Sequence, residues 1–140
     1  MASYTNLLYH FVFSTKRREP SLHADLRPRL YEYLGGGIRD EKGIALAING
    51  MADHVHILAK LRQDKAVSDM LRGIKANSSG WIHRTSPDLE RFAWQEGYGA
   101  FSVSQSQVER VKEYIRHQGK ASSEMHVPRR VGKVVKGTWN

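Results

Sequence analysis

Residues 43–61 read GIALAINGMADHVHILAKL, two apolar runs separated by a few small and polar residues. In the first run, 43–50, Ile44, Leu46 and Ile48 alternate with smaller residues, which is the period of a strand. The second run, 54–61, reads as another strand, and the short connection makes the two a hairpin. Within it His54 and His56 flank Val55, so both imidazoles share one face while Val55 and Ile57 take the other. Two imidazoles side by side on an apolar element need partners, either hydrogen-bonding groups or a metal ion.

The flanking segments supply the rest of a small α+β domain. Residues 5–14, TNLLYHFVFS, form a strand with Tyr9, Phe11 and Phe13 on one face and Leu8, His10 and Val12 on the other. A basic loop, TKRREP, follows. Leu22, Leu26, Leu30, Leu34 and Ile38 recur at helical spacing over 21–38, with Pro28 near the start or at a kink. Glycines 35–37 are expected to fray or end this helix. They follow no strand and precede no Gly-Lys-Ser/Thr, so they are not a phosphate loop. Asp64 is placed to cap a helix running to about His83, with Val67, Met70, Leu71, Ile74, Ser78 and Trp81 as its apolar stripe. Arg72 and Lys75 fall outside that stripe and are expected to be exposed together. The aromatic, glycine-punctuated run RFAWQEGYGAFSVS (91–104) reads as a strand. Ser104 and Gln107 suggest a capping box for a last helix, 105–118, that turns Val108, Val111 and Ile115 inward and ends at Gly119.

The order strand, helix, strand, strand, helix, strand, helix predicts a ferredoxin-like (RRM-like) antiparallel sheet, helices packed on one face, plus a C-terminal helix. Many functions share that architecture, so the site must decide.

Composition narrows the choice. A chain of 140 residues suits one domain, and its 40% apolar and 26% charged residues suit a globular one. With no cysteine, disulfides and thiolate metal sites are excluded. The sequence shows neither a secretory leader nor an apolar run of membrane-spanning length, so the cytoplasm is expected. Twenty-two Lys and Arg against 14 Asp and Glu leave a net charge of +8, which points to a polyanion such as nucleic acid as partner.

The histidine pair does not fit the common hydrolase sites. A metallo-β-lactamase-like site needs a longer His-rich run with an Asp, and a barrel hydrolase needs a chain of roughly 250 residues. A closed structural zinc site wants four ligands, usually with cysteine among them. The last helix offers another solution. In VERVKEYIRHQGK, Tyr114 and Gln118 are four residues apart and share a helical face. Two histidines and a glutamine oxygen would hold a divalent ion with open positions for phosphate oxygens and water. The alternative is an amphipathic helix with a surface Tyr and Gln.

Four segments, HFVFSTKRR, DHVHIL, FAWQEGYGAFSVS and YIRHQ, together resemble the single-tyrosine HUH transposases of the insertion-sequence-200-like group. The resemblance spans about residues 4–118. It implies a catalytic domain over 1–118 in which His54, His56 and Gln118 bind Mg2+ or Mn2+. It implies that Tyr114 attacks a single-stranded DNA phosphodiester, leaving a 5′-phosphotyrosine link and a free 3′-hydroxyl. Phenols are protonated at neutral pH, so a neighbouring cation would assist the attack. The partner implied is single-stranded DNA carrying hairpins at the element's ends. Lys16, Arg17 and Arg18, with Arg72 and Lys75, are the basic residues placed to grip it. His10 reads as a structural or supporting residue rather than a ligand. The resemblance also implies a homodimer. It further implies that the tyrosine helix works against the partner's histidines, and weak packing of the last helix on its own sheet likewise favours active sites shared in trans.

Two features stand apart. Residues 119–140, GKASSEMHVPRRVGKVVKGTWN, form a basic, pattern-poor tail expected to be poorly ordered, where relatives continue with charged helical sequence. GYGAFSV (97–103) resembles the aromatic strand of an RNA-recognition domain, a non-catalytic nucleic-acid binder. Against that rival, Glu96 stands where Lys or Arg belongs, and His54, His56, Tyr114 and Gln118 would have no role.

Overall fold

A computed structural model describes residues 3–118 as a four-stranded sheet with two helices on one face and a third on the other. The strands are β1 (Leu7–Ser14), β2 (Ile44–Met51), β3 (His54–Leu61) and β4 (Gly99–Ser102). The helices are α1 (Arg27–Asp40), α2 (Val67–Thr85) and α3 (Val108–Arg116). The strand order is β2-β3-β1-β4 and every pairing is antiparallel, the arrangement the sequence predicts. No described helix is long and apolar enough to cross a membrane. The tail expected at 119–140 lies outside the described residues.

Alternation in the strands decides which face does what. Phe11 and Phe13 of β1 and Val55, Ile57 and Ala59 of β3 face α1 and α2, where they meet Leu30, Leu34, Ile38, Met70, Leu71, Ile74 and Ile82 in the main core. The opposite face carries Leu8 and Leu58, covered by Val108, Val111 and Ile115 of α3 in a second, smaller core. The β2–β3 hairpin turns on Ala52 and Asp53 alone. Gly50 is required there, because a Cβ at that position would lie 2.1 Å from the carbonyl oxygen of His54.

Several local expectations need correction. The first helix starts at Arg27, with Pro28 in its first turn, and runs through Gly35–Gly37 because buried Leu34 and Ile38 anchor both sides of the glycines. Asp64 does not cap α2, since its carboxylate is held by the Arg62 guanidinium and the helix begins at Val67. The run 91–104 is strand only over its end. Phe92 and Trp94 instead turn into the core from a loop, where the Trp94 indole donates to Ser78 Oγ at 3.0 Å. The proposed capping box is absent, for Ser104 Oγ bonds Ser106 Oγ and a short 3-10 turn, Gln105–Gln107, precedes α3. Gly119, expected to end that helix, lies outside the described residues.

Candidate active site

The face covered by α3 gathers the chemistry. His54 and His56 project from β3 toward that helix, their ring centroids 5.0 Å apart. Tyr114, from the middle of α3, stands edge-on to His56 with centroids 5.6 Å apart, and 6.2 Å from His10. Gln118, one turn further on, brings Oε1 to 3.4 Å from His54 Nε2. One strand, β3, and the α3 segment, separated by more than 50 residues in sequence, thus place Tyr114, Gln118 and both histidines together.

Each histidine is oriented from behind. Asp53, in the hairpin turn, accepts a hydrogen bond from His54 Nδ1 at 2.7 Å, and its other oxygen pairs with Arg18 Nε at 3.1 Å. Burial pushes the Asp53 carboxyl up, but the hydrogen bonds from His54 and Arg18 outweigh it and hold its pKa below the ordinary carboxylate value. His56 Nδ1 lies 2.9 Å from His10 Nε2 in a buried contact. Burial brings His10 down to about 4 and, reinforced by the neighbouring His10, His54 and Arg18 charges, holds His56 well below the ordinary histidine value. Both rings are therefore neutral at physiological pH.

This donor set suits a cation. An ionised carboxylate only accepts, so a neutral imidazole in the His54–Asp53 contact carries its proton on Nδ1 and leaves Nε2 with a lone pair. Nε2 and Gln118 Oε1 then face each other as two acceptors, which a shared divalent ion would satisfy. Among the described residues no cluster of three His, Cys, Asp or Glu side chains is spaced for a metal, so a cation held by the two histidines would take a further protein donor of another type, such as the Gln118 amide. His117 takes no part, because its Nδ1 bonds the Glu113 carbonyl at 2.7 Å.

Two residues near the site, Asn49 and Asp53, were not singled out by the sequence, while His10 was read as a supporting residue. Asn49 of β2 donates from Nδ2 to the main-chain carbonyls of Arg116, at 3.1 Å, and Gln118, at 3.4 Å, and so ties the end of α3 to the sheet. Asp53 and His10 act through the histidines. Their partners lie across strands or turns, where periodicity carries no signal.

The basic residues divide. Lys16, Arg17 and Arg18 form a short 3-10 turn after β1 and are exposed, with Arg17 and Arg18 both held at φ 57° in the left-handed region. Arg72 is exposed and pairs with Asp69 at 3.0 Å. The expectation that Lys75 stands exposed beside it is corrected. Lys75 folds inward, donating at 2.7 Å to the carbonyls of both Gln95 and Gly97, and sits over the Phe13 ring. Burial accordingly lowers its pKa, against an opposing pull from Glu96. It pins the loop before β4.

The family described as transposase IS200 like matches residues 3–118. The chain belongs to this transposase family. The IS200 transposases of Salmonella typhimurium and Salmonella typhi are each 26% identical over 118 residues, covering 81% of this chain and 77% of theirs. Among solved structures, a candidate transposase from Deinococcus radiodurans shares the fold with a TM-score of 0.71 at 22% identity, over 84% of this chain and 95% of that one. A REP-associated tyrosine transposase bound to a REP hairpin matches with a TM-score of 0.61 at 17% identity, over all of this chain and 76% of its own. The transposase fold and the α+β class read from the sequence agree with these likenesses.

The last helix of this transposase packs against its own sheet through Val108, Val111 and Ile115, and Asn49 ties its end to β2, so its packing is firmer than the sequence suggests.

Proposed function

We propose that this transposase cleaves and rejoins single-stranded DNA at hairpin-marked element ends, with Tyr114 as nucleophile and His54, His56 and Gln118 as ligands of Mg2+ or Mn2+. The observation that carries the reading is the meeting of Tyr114 and Gln118 with the histidine pair from distant segments of the chain. The Tyr114 phenolic oxygen bonds to phosphorus as the bond from phosphorus to the 3′-oxygen breaks. The departing 3′-oxygen gains a proton, and a 5′-phosphotyrosine remains. One ester replaces another, so no energy source is consumed, and the freed hydroxyl can reverse the exchange on a second end. A bound divalent ion supplies neutralisation of the phosphate charge and favours the phenolate.

Lys16, Arg17 and Arg18 form the DNA grip, and Arg72 extends it on α2. The relative bound to a REP hairpin supports a hairpin as the DNA form recognised. The active protein is a homodimer in this reading, with each site drawn from one chain as the cis geometry favours, and trans sharing as the competing arrangement. A non-catalytic RRM-like binder would share the fold but leave Tyr114 and Gln118 unexplained.

The deciding experiment incubates the protein with labelled single-stranded element ends and Mn2+ or Mg2+. A protein–DNA adduct that survives denaturation is expected, and it should vanish with Tyr114→Phe and with chelator. Cleavage without an adduct would refute the mechanism.

A further inference from the structure

His10 occupies the interior of β1 on the face that α3 covers. In the strand register His10 lies opposite Leu58 and Val12 opposite His56, so the two histidines are diagonal neighbours. Their rings stack at 5.1 Å with 29° between planes, and they are 1% and 6% exposed. A buried nitrogen pair 2.9 Å apart shares one proton, and two assignments are possible. If His10 donates, the neutral His56 carries its own proton on Nε2, and that edge cannot bind a cation. If His56 donates from Nδ1, its Nε2 keeps a lone pair on the edge turned away from His10. His54 is already fixed in this second way by Asp53. Only the same assignment at His56 gives two matching lone pairs beside Tyr114 and Gln118.

We infer that His10 is a positioning residue that accepts the Nδ1 proton of His56 and so keeps His56 Nε2 free as a ligand. The inference rests on the proposed metal site, and it adds a task for a β1 residue that is not itself a ligand. Neighbours that fix the tautomer and orientation of a ligating imidazole commonly change metal affinity by about 10- to 100-fold. The two histidines are served by different partners, an anionic carboxylate for His54 and a neutral ring for His56. The second adds no charge to the pocket.

The test has two readouts. Long-range 15N spectra of the metal-free protein at neutral pH should show the His56 proton on Nδ1 in wild type and shifted toward Nε2 in His10→Leu. Mn2+ titration by calorimetry should show His10→Leu binding about 10-fold or more weakly, and His10→Gln within about threefold of wild type, because its amide oxygen can accept the same proton. His10→Gln also keeps the comparison alive if His10→Leu fails to fold, since its His56 proton should then remain on Nδ1. A wild-type His56 protonated on Nε2, or a folded His10→Leu with unchanged Mn2+ affinity, overturns the inference. Wild-type protein that shows the Nδ1 form yet binds no Mn2+ would remove the metal reading while upholding the His10 contact.

Discussion

Asn49 hydrogen-bonds the main-chain carbonyl of Arg116 across 3.1 Å, joining the edge strand β2 to the last turn of the helix that carries Tyr114. The same amide reaches the carbonyl of Gln118, so one side chain satisfies the Arg116 acceptor that the helix end leaves without an intrahelical partner and a second acceptor just beyond it. This tie holds the segment from which Gln118 reaches toward His54. Asn49→Ala should cost about 1 kcal/mol in global stability, the ordinary net value of such a bond. Adduct formation should fall further, by about 10-fold, because small misplacements of reacting groups are expensive. Urea denaturation and a single-turnover cleavage assay on one preparation separate the two effects; equal, small losses in both would show that the tie is only structural.

Lys75 and the Lys16–Arg18 turn should respond differently to substitution. Lys75→Met strands the part-buried Gln95 carbonyl and frees the exposed Gly97 carbonyl to water, and should lower stability by about 1 kcal/mol while leaving the salt dependence of DNA binding unchanged. A thermal melt beside a binding titration reads both quantities. A salt slope that drops with Lys75→Met would return this residue to the DNA grip.

Affinity for a single-stranded hairpin should fall steeply with salt, and each of Lys16→Ala and Arg17→Ala should reduce the log–log slope by about 0.7–0.9. Arg18→Ala should do more, because Arg18 also supports Asp53 behind His54. Fluorescence anisotropy across a salt series measures the slopes. Slopes identical to wild type in all three variants would move the DNA interface elsewhere.

If each site is drawn from one chain, as proposed, a complementation experiment is decisive. A Tyr114→Phe subunit mixed with a His54→Ala, His56→Ala subunit should stay inactive, since neither chain holds a whole site. Recovered cleavage in verified mixed dimers would require α3 to work on the partner's sheet.

Acid should destabilise the metal-free protein in a defined window. Burial brings the folded His10 pKa down to about 4, whereas the unfolded side chain titrates near 6.5. Between those values the unfolded chain binds the extra proton, so the contribution is complete above about pH 6.5 and is lost as pH falls toward 4. From His10 alone the loss is about 3 kcal/mol, and His56 acts in the same direction. Urea titrations in chelator at several pH values measure it, and a flat profile from 6.5 to 4 would contradict the neutral buried pair.

Much of this domain is legible in the sequence because its period-2 and helical patterns are clean. The hairpin of β2 and β3, the sided pattern of β1 and the inward residues of α3 follow from spacing alone. Where buried aromatics enter the core from a loop, as Phe92 and Trp94 do, the same hydrophobicity looks like strand. Lys75 reads as exposed from its place on the α2 wheel, because nothing local reveals that the chain returns with two carbonyls for its ammonium. The Tyr114 and Gln118 pairing is visible as an i, i+4 repeat. Asn49 and Asp53 are invisible at that level, and His10 is visible only as a supporting residue without its partner, since these contacts depend on register across the sheet and on the turn that delivers it.

The two faces of the sheet also divide the molecule's cooperativity. The large core under α1 and α2 closes without any residue of α3, whose nine residues are too few to hold a helix in isolation. Amide protons of α3 should therefore exchange through an opening that leaves β1 and β3 protected, a small unit of the fold able to detach on its own. Tyr114 and Gln118 would leave the histidines together in that opening. Catalytic competence becomes a population, set by how firmly Leu8, Leu58 and Asn49 retain one short helix.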